Sequence, residues 1–135
     1  MKAPAKLTLN LRVTGVRTDG FHLIDAEMVS LDVADDITIE ECNGPSSLTI
    51  DGPFSNGLTN DANNLVLRAL TLAQRNAHVL LTKNIPHGGG LGGGSTDAAA
   101  VLRWASFTNL QAASQLGADI PFCMHGGRAR VEGIG

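Results

Sequence analysis

Pro86-His87-Gly88-Gly89-Gly90-Leu91-Gly92-Gly93-Gly94-Ser95-Thr96-Asp97-Ala98-Ala99-Ala100 is the stretch from which the rest of the chain is read. Six glycines fall within seven positions, and alanines follow at once. Glycine lacks a Cβ, so such a loop can take positive φ and bring its amides close to a ligand. The first turn of a following helix leaves N–H groups without intrahelical partners, and the helix dipole adds positive potential there. Ser95 or Thr96 is expected to cap that helix, with hydroxyls open to a phosphate or a metal. The whole reads as an anion cradle for nucleotide phosphates.

A flexible glycine-rich linker is the plainer alternative. Linkers of that kind continue into Ser, Gly and Pro rather than into a strong helix former. Here Val79-Leu80-Leu81 reads as a strand before the loop, and Ala98 to Ala105 as a helix after it, which favours the phosphate reading. The type of loop is less simply stated. Gly88-x-Gly90-x-x-Gly93 matches the dinucleotide fingerprint in form, but the acidic residue wanted at the end of the next strand falls near Asp119, after an apparent helix at Leu110 to Leu116. A Walker A loop needs a lysine where Gly94 stands. A protein-kinase glycine loop needs a downstream strand lysine, and the chain has no lysine after Lys83. A different nucleotide loop is required.

Working outward, Leu7, Leu9, Leu11 and Val13 alternate with polar residues, the pattern of a half-buried strand. Asp19-Gly20 signals a turn, after which come Phe21 and His22. Residues 23–31 read as extended, with a turn at Asp35-Asp36 before a strand at Ile37 to Ile39. Ser47 to Ile50 makes another strand. Residues 52–64 are loop, with Asp61 or Asn63 capping a helix that ends near Asn76. Residues 79–83 lead back into the glycine loop as a strand, and a helix through Trp104 follows it. After the short helix at 110–116, residues 117–122 read as a turn into an apolar stretch. His125-Gly126-Gly127 is a turn before a last strand at 129–132. Trp104 and Met124 read as packing residues.

At 135 residues and 43% hydrophobic content the chain suits one small domain or part of a larger one. Net charge is −3 with scattered basic residues, so nothing points to a nucleic-acid or membrane surface. No apolar run is long enough to span a bilayer, and no signal peptide is expected before Ala3, which suits a cytoplasmic protein. Cys42 and Cys123 fit no metal spacing and read as two buried free thiols of a reducing compartment.

Four stretches together resemble the N-terminal part of the GHMP small-molecule kinases: Ala3 to Leu9, Arg17 to His22, Pro86 to Ala100, and Leu116 to Phe122. Within that family the match is to the branch acting on a cytidylylated methylerythritol. The resemblance implies a mixed α/β (α+β) fold like the second domain of ribosomal protein S5, with a left-handed βαβ crossover that runs against the usual handedness. It implies that 1–135 is one ATP-binding N-terminal domain with the C-terminal GHMP domain absent. ATP and Mg²⁺ are then the cofactors, with Pro86, Gly88, Gly89, Gly90, Leu91, Gly92, Gly93, Gly94, Ser95 and Thr96 around the phosphates and Ser95 as a metal contact. The small-molecule substrate is cytidine diphosphate methylerythritol, in non-mevalonate isoprenoid (terpenoid) biosynthesis, and no nucleic acid or membrane partner is expected.

The resemblance also assigns roles. Asp119 takes or orients the proton of the substrate's 2-hydroxyl, a poor nucleophile that needs a base. Lys6 lies beside it, favouring the charged carboxylate and offsetting charge on the moving phosphoryl group. Phe21 and His22 hold the cytosine. Thr8 stands where many relatives carry Asn, near the acceptor hydroxyl. Asp97 favours the helix N-terminus by charge. The segments around Ala77 and Ser106 look shorter than in the family. The alternatives are another GHMP kinase, acting on mevalonate, homoserine or a sugar, and a nucleotide-binding fragment without catalysis. The 135-residue chain alone is expected to be inactive or nearly so.

Overall fold

A computed structural model describes residues 1–18, 20, 22–87 and 89–134, of which 22–24 and 130–134 are described by backbone alone. The chain runs β1 (Lys2–Val16), β2 (His22–Glu41), β3 (Ser47–Asp51), α1 (Leu65–Ala73), β4 (Ala77–Thr82), α2 (Gly93–Trp104), α3 (Leu110–Leu116), α4 (Ile120–His125) and β5 (Arg128–Ile134). The sheet order is β1-β2-β4-β3, with β5 added along the first half of β2. β3 and β4 are parallel and joined through α1, while the other pairings are antiparallel. This is the mixed α/β architecture that the alternation of strand and helix patterns predicts.

α2 lies at the centre. Residues 96 to 102 are buried without a break, so this helix has no solvent face along its middle. A helix buried all round must be small as well as apolar for its neighbours to approach, and Ala98, Ala99 and Ala100 meet that need. Val66, Ala69 and Leu70 of α1 close on one side of the core, and Ile120, Phe122 and Cys123 of α4 contribute another part. Ile37, Val79, Leu81 and Leu48 fill the layer from the sheet.

Several expectations need correction. The alternating stripe of β1 is not half-buried: Leu7, Leu9, Leu11 and Val13 are 39%, 45%, 56% and 59% exposed. A 15-residue edge strand reaches roughly 50 Å, whereas a 12-residue helix covers only about 18 Å. The core therefore takes Ala3 and Ala5 and leaves the far end of β1 uncovered. Asp35-Asp36 is not a turn. β2 runs straight through it for 20 residues, because a buried partner network described below satisfies the Asp35 carboxylate. The apolar stretch after the turn at 117 is a helix over residues 120–125, with Pro121 in its first turn, where a missing N–H costs nothing.

α1 is capped one residue later than expected. Asn64 accepts from the Val66 N–H at 2.9 Å, while Asp61 takes the N–H of Asn63 in the preceding turn. The first turn of α2 is not capped by Ser95 or Thr96 either. Gly92 holds that position at φ +69°, and both hydroxyl residues lie inside the helix. Cys42 is half-buried, and both thiols are free. The turn at Gly20 is present, with its N–H on the Arg17 carbonyl at 3.0 Å. Asp19 lies outside the described residues.

The two short junctions are tight helix endings. Gln74 (φ +56°) and Ser106 (φ +56°) sit in the left-handed region, and the residues after them, Arg75 and Phe107, donate back to Leu70 and Leu102. Both are Schellman endings, usually closed by glycine or asparagine. Ser106 is exposed and its hydroxyl is not needed by the motif. Ser106→Gly is therefore expected to raise stability by about 0.5–1 kcal/mol, by relieving a left-handed side-chain residue. Urea denaturation checks it; an unchanged or lower midpoint contradicts the account.

Candidate functional site

The glycine loop and the start of α2 border a cleft of about 350 Å³, within the range of small-molecule sites. Leu58, Leu65, Val66, Leu81 and Ile85 give it an apolar wall, and Asn64, Lys83 and Asp97 add polar groups. Pro86, Gly90, Leu91, Gly92, Gly93 and Gly94 all line it. Ser95 and Thr96 do not. Thr96 is buried beside the Cys123 thiol, and Ser95 faces the turn at Gly117. Gly88 lies outside the described residues.

The local geometry follows from three glycines. The first bond within α2 is Thr96 N–H to Gly92 O at 2.8 Å, and no side chain caps the turn. The N–H groups of Gly93, Gly94 and Ser95 are thus free of intrahelical acceptors, which is the arrangement an anion needs. Gly92 is required twice. Its positive φ disfavours a side chain, and a Cβ there would meet Lys6 Cγ at 2.8 Å and Cε at 2.9 Å. The Lys6 stem therefore lies directly over the helix start, and its own N–H donates to Leu91 O at 2.8 Å.

From there the Lys6 ammonium reaches Asp119 at 3.1 Å and the Thr8 hydroxyl at 3.4 Å. Lys6 is buried, whereas the Asp119 side chain keeps a third of its surface. Asp119 occupies the position before α4 but does not cap it. Its side chain turns to the lysine instead. Lys6, Thr8 and Asp119, from distant parts of the sequence, converge beside the cradle. His22 begins β2 opposite Val16, and only its backbone is described. Phe21 lies outside the described residues.

Under the cradle lies a cluster that motif reading does not find. The Lys83 ammonium sits 2.6 Å from Asp35 and 2.7 Å from Asp97, all three side chains being 4% exposed or less. Burial works against the Lys83 charge, but the two carboxylates outweigh it and hold its pKa above the usual lysine range. Asp97 moves the other way. Burial first, then the neighbouring Asp35, push its pKa up to about 8 despite Lys83. Two carboxylates and one ammonium leave a net negative charge in a dry place, and a proton on Asp97 removes it. Asp97 thus does not serve the helix N-terminus as a bare charge. The sequence signal was present only as an Asp at an otherwise small-residue helix, with nothing to name its partners.

The sign of the resulting pH dependence is fixed. Between the unfolded carboxyl range near pH 4 and the folded value near 8, the native state holds the extra proton, so this group's contribution to stability falls as pH rises through that window. Asp97→Asn removes the titration. Comparing unfolding midpoints at pH 6 and pH 9, the wild-type chain is expected to lose more stability than the variant; equal losses contradict the assignment.

Among the described residues no helix is long and apolar enough to cross a membrane, and no group of three His, Cys, Asp or Glu side chains is placed to hold a metal.

Residues 64–127 match the family model described as GHMP kinases N terminal domain. The 4-diphosphocytidyl-2-C-methyl-D-erythritol kinase of Paracoccus denitrificans is 50% identical over 98% of this chain and 48% of its own length. The protein of the same name from Ruegeria pomeroyi is 45% identical over 98% of this chain and 50% of its own. A crystal structure of 4-(cytidine 5'-diphospho)-2C-methyl-D-erythritol kinase superposes with a TM-score of 0.73 at 36% identity, covering 98% of this chain and 51% of that one. The chain belongs to the GHMP kinase family. It spans about half the length of the curated relatives it matches. A D-glycero-D-manno-heptose 1-phosphate kinase, at 19% identity and a TM-score of 0.59, shares the fold.

Within this GHMP kinase chain the matched region opens at Asn64, which caps α1 at the cleft edge. It includes the glycine loop, α2 and Asp119, and leaves Lys6 and Thr8 outside.

Proposed function

We propose that this chain forms the nucleotide-gripping and proton-handling half of a kinase that transfers the γ-phosphoryl group of ATP to the 2-hydroxyl of 4-(cytidine 5'-diphospho)-2-C-methyl-D-erythritol. The observation that carries this reading is the Lys6–Asp119 pair, 3.1 Å apart, held against Gly92 at the uncapped start of α2. Phosphoryl transfer asks little covalent chemistry of a protein; it asks for an oriented hydroxyl, offset phosphate charge and in-line placement. The relatives bearing that kinase name match 98% of this sequence, which supports the choice of substrate.

The residues fit a triphosphate. Three uncapped amides make the cradle, and the absent Cβ atoms of Gly92 and Gly93 let Lys6 and Lys83 pack directly against it. The apolar wall of Leu65, Val66, Leu81 and Ile85 suits a flat base. Asp119 is exposed enough to meet a hydroxyl, and it orients that group and takes its proton. Lys6 holds the carboxylate in place and offsets charge on the phosphoryl oxygens as the proton leaves. Thr8, hydrogen-bonded to Lys6, borders the acceptor. Phe21 and His22 grip the cytosine by stacking and hydrogen bonds. Mg²⁺, when bound, would neutralise phosphate oxygens; Ser95, the hydroxyl expected to meet it, faces the turn at Gly117 and does not line the cleft.

A chimaera decides the substrate. With residues 1–135 replacing the matching half of the Paracoccus denitrificans relative, γ-labelled ATP should pass its label to the cytidylylated methylerythritol and not to mevalonate, homoserine or a hexose. Transfer to one of those three, or to none of the four, removes the proposal.

A further inference from the structure

We propose that Lys83 and Asp97 are positioning residues that set the distance between the two sides of the phosphate cradle, the glycine loop and the first turn of α2. The inference rests on the reading of that cradle as a nucleotide-phosphate site.

Lys83 is the first residue beyond β4, and every polar atom it carries is engaged. Its N–H donates to Asp51 O at 2.8 Å, its carbonyl accepts from Phe54 N–H at 3.2 Å, and its ammonium is shared by Asp35 and Asp97. Asp35 uses its second oxygen to accept from the backbone N–H groups of Asn84 and Ile85, at 2.7 Å and 2.9 Å. One carboxylate of β2 therefore grips both the ammonium and the chain entering the loop. The ammonium passes that restraint to α2 through Asp97, one turn inside the helix.

Two glycines make room for the bridge. A Cβ on Gly93 would lie 3.0 Å from Lys83 Nζ, and one on Gly52 would fall 2.7 Å and 2.8 Å from the Lys83 backbone. Both Lys83 and Asp97 line the cleft, and the second oxygen of Asp97 is buried without a hydrogen-bond partner. A plain structural pair would not need to border the ligand. An ammonium already paired with Asp35 and hydrogen-bonded to Asp97 has little field left for phosphate, so its contribution is spacing. Spacing matters here because oriented amides lose their advantage with shifts on the order of 1 Å.

The test separates position from stability. Asp97→Leu removes the link to α2 yet leaves Lys83 and Asp35 as a one-to-one pair; Asp97→Asn keeps an oxygen facing Lys83. Binding of ATP with magnesium to the 135-residue chain is measured by calorimetry, alongside urea midpoints. Asp97→Asn should bind within about threefold of wild type and Asp97→Leu at least about tenfold more weakly, without any fall in its midpoint. Adding Ser106→Gly to Asp97→Leu should not restore binding. Asp97→Ala serves as a second variant with high helix propensity. Wild-type affinity in Asp97→Leu and Asp97→Ala overturns the inference, as does rescue by Ser106→Gly or failure of both variants to fold. A wild-type chain that binds no ATP instead sinks the nucleotide reading beneath it.

Discussion

Asp119→Asn, made in the chimaera with the relative's C-terminal half, should lower kcat by about 10²–10⁴-fold while leaving nucleotide affinity nearly unchanged. The amide keeps the shape of the side chain and can still face Lys6, but it cannot accept the hydroxyl proton. The loss should not come from misfolding. The pair is a third exposed on the acid side, and such an ion pair contributes at most about 1 kcal/mol. A change of that size alters neither the folded fraction nor the cradle amides, which are built by Gly92 to Ser95. The split between kcat and affinity is therefore the diagnostic reading. Turnover near that of the parent chimaera would remove Asp119 from the chemistry, and an equal loss of ATP binding would move it to the nucleotide site.

Lys83→Met should cost the fold about 3–5 kcal/mol, the usual penalty for stripping one partner from a buried charged group. Asp35 would retain the N–H groups of Asn84 and Ile85, but Asp97 already has one oxygen without a partner and would lose the other bond. Against a typical total of about 5–15 kcal/mol, that loss is large enough to unfold much of the population on mild warming. Replacing Asp97 as well should recover part of it, because an apolar pair of similar volume often matches or exceeds a buried ion pair. Urea midpoints of Lys83→Met, Asp97→Leu and the double variant form the cycle that measures the coupling. A cost under about 1 kcal/mol for Lys83→Met would mean that the cluster is solvated and that its burial is not felt.

The remaining lesson concerns which features a linear reading can reach. The glycine run, its preceding strand and its alanine helix are local, and φ freedom and side-chain volume announce them without reference to the rest of the chain. The same holds for the short helix at 110–116, whose cap, Asn109 accepting from Ala112 N–H at 3.1 Å, the structure adds. The family resemblance was carried by four short stretches, and their order sufficed because each has a steric or chemical reason of its own.

The continuous β2 through Asp35, the exposure of Leu9 and Leu11 on β1, the left-handed Gln74 and Ser106, and the Lys83 cluster were not legible in the same way. Three of these depend on something far along the chain: an amide at 84, a helical layer shorter than the strand it covers, a carboxylate at 97. The two left-handed endings close locally on Leu70 and Leu102, but without the glycine or asparagine that usually announces them. Local sequence by itself determined the glycine loop and the helix that follows it, because glycine and alanine act through their own missing or minimal side chains. Only the folded molecule decided that Lys6 meets Asp119 and that Lys83 meets two acids, because a charge finds its counter-charge through space and the spacing along the chain does not encode that distance.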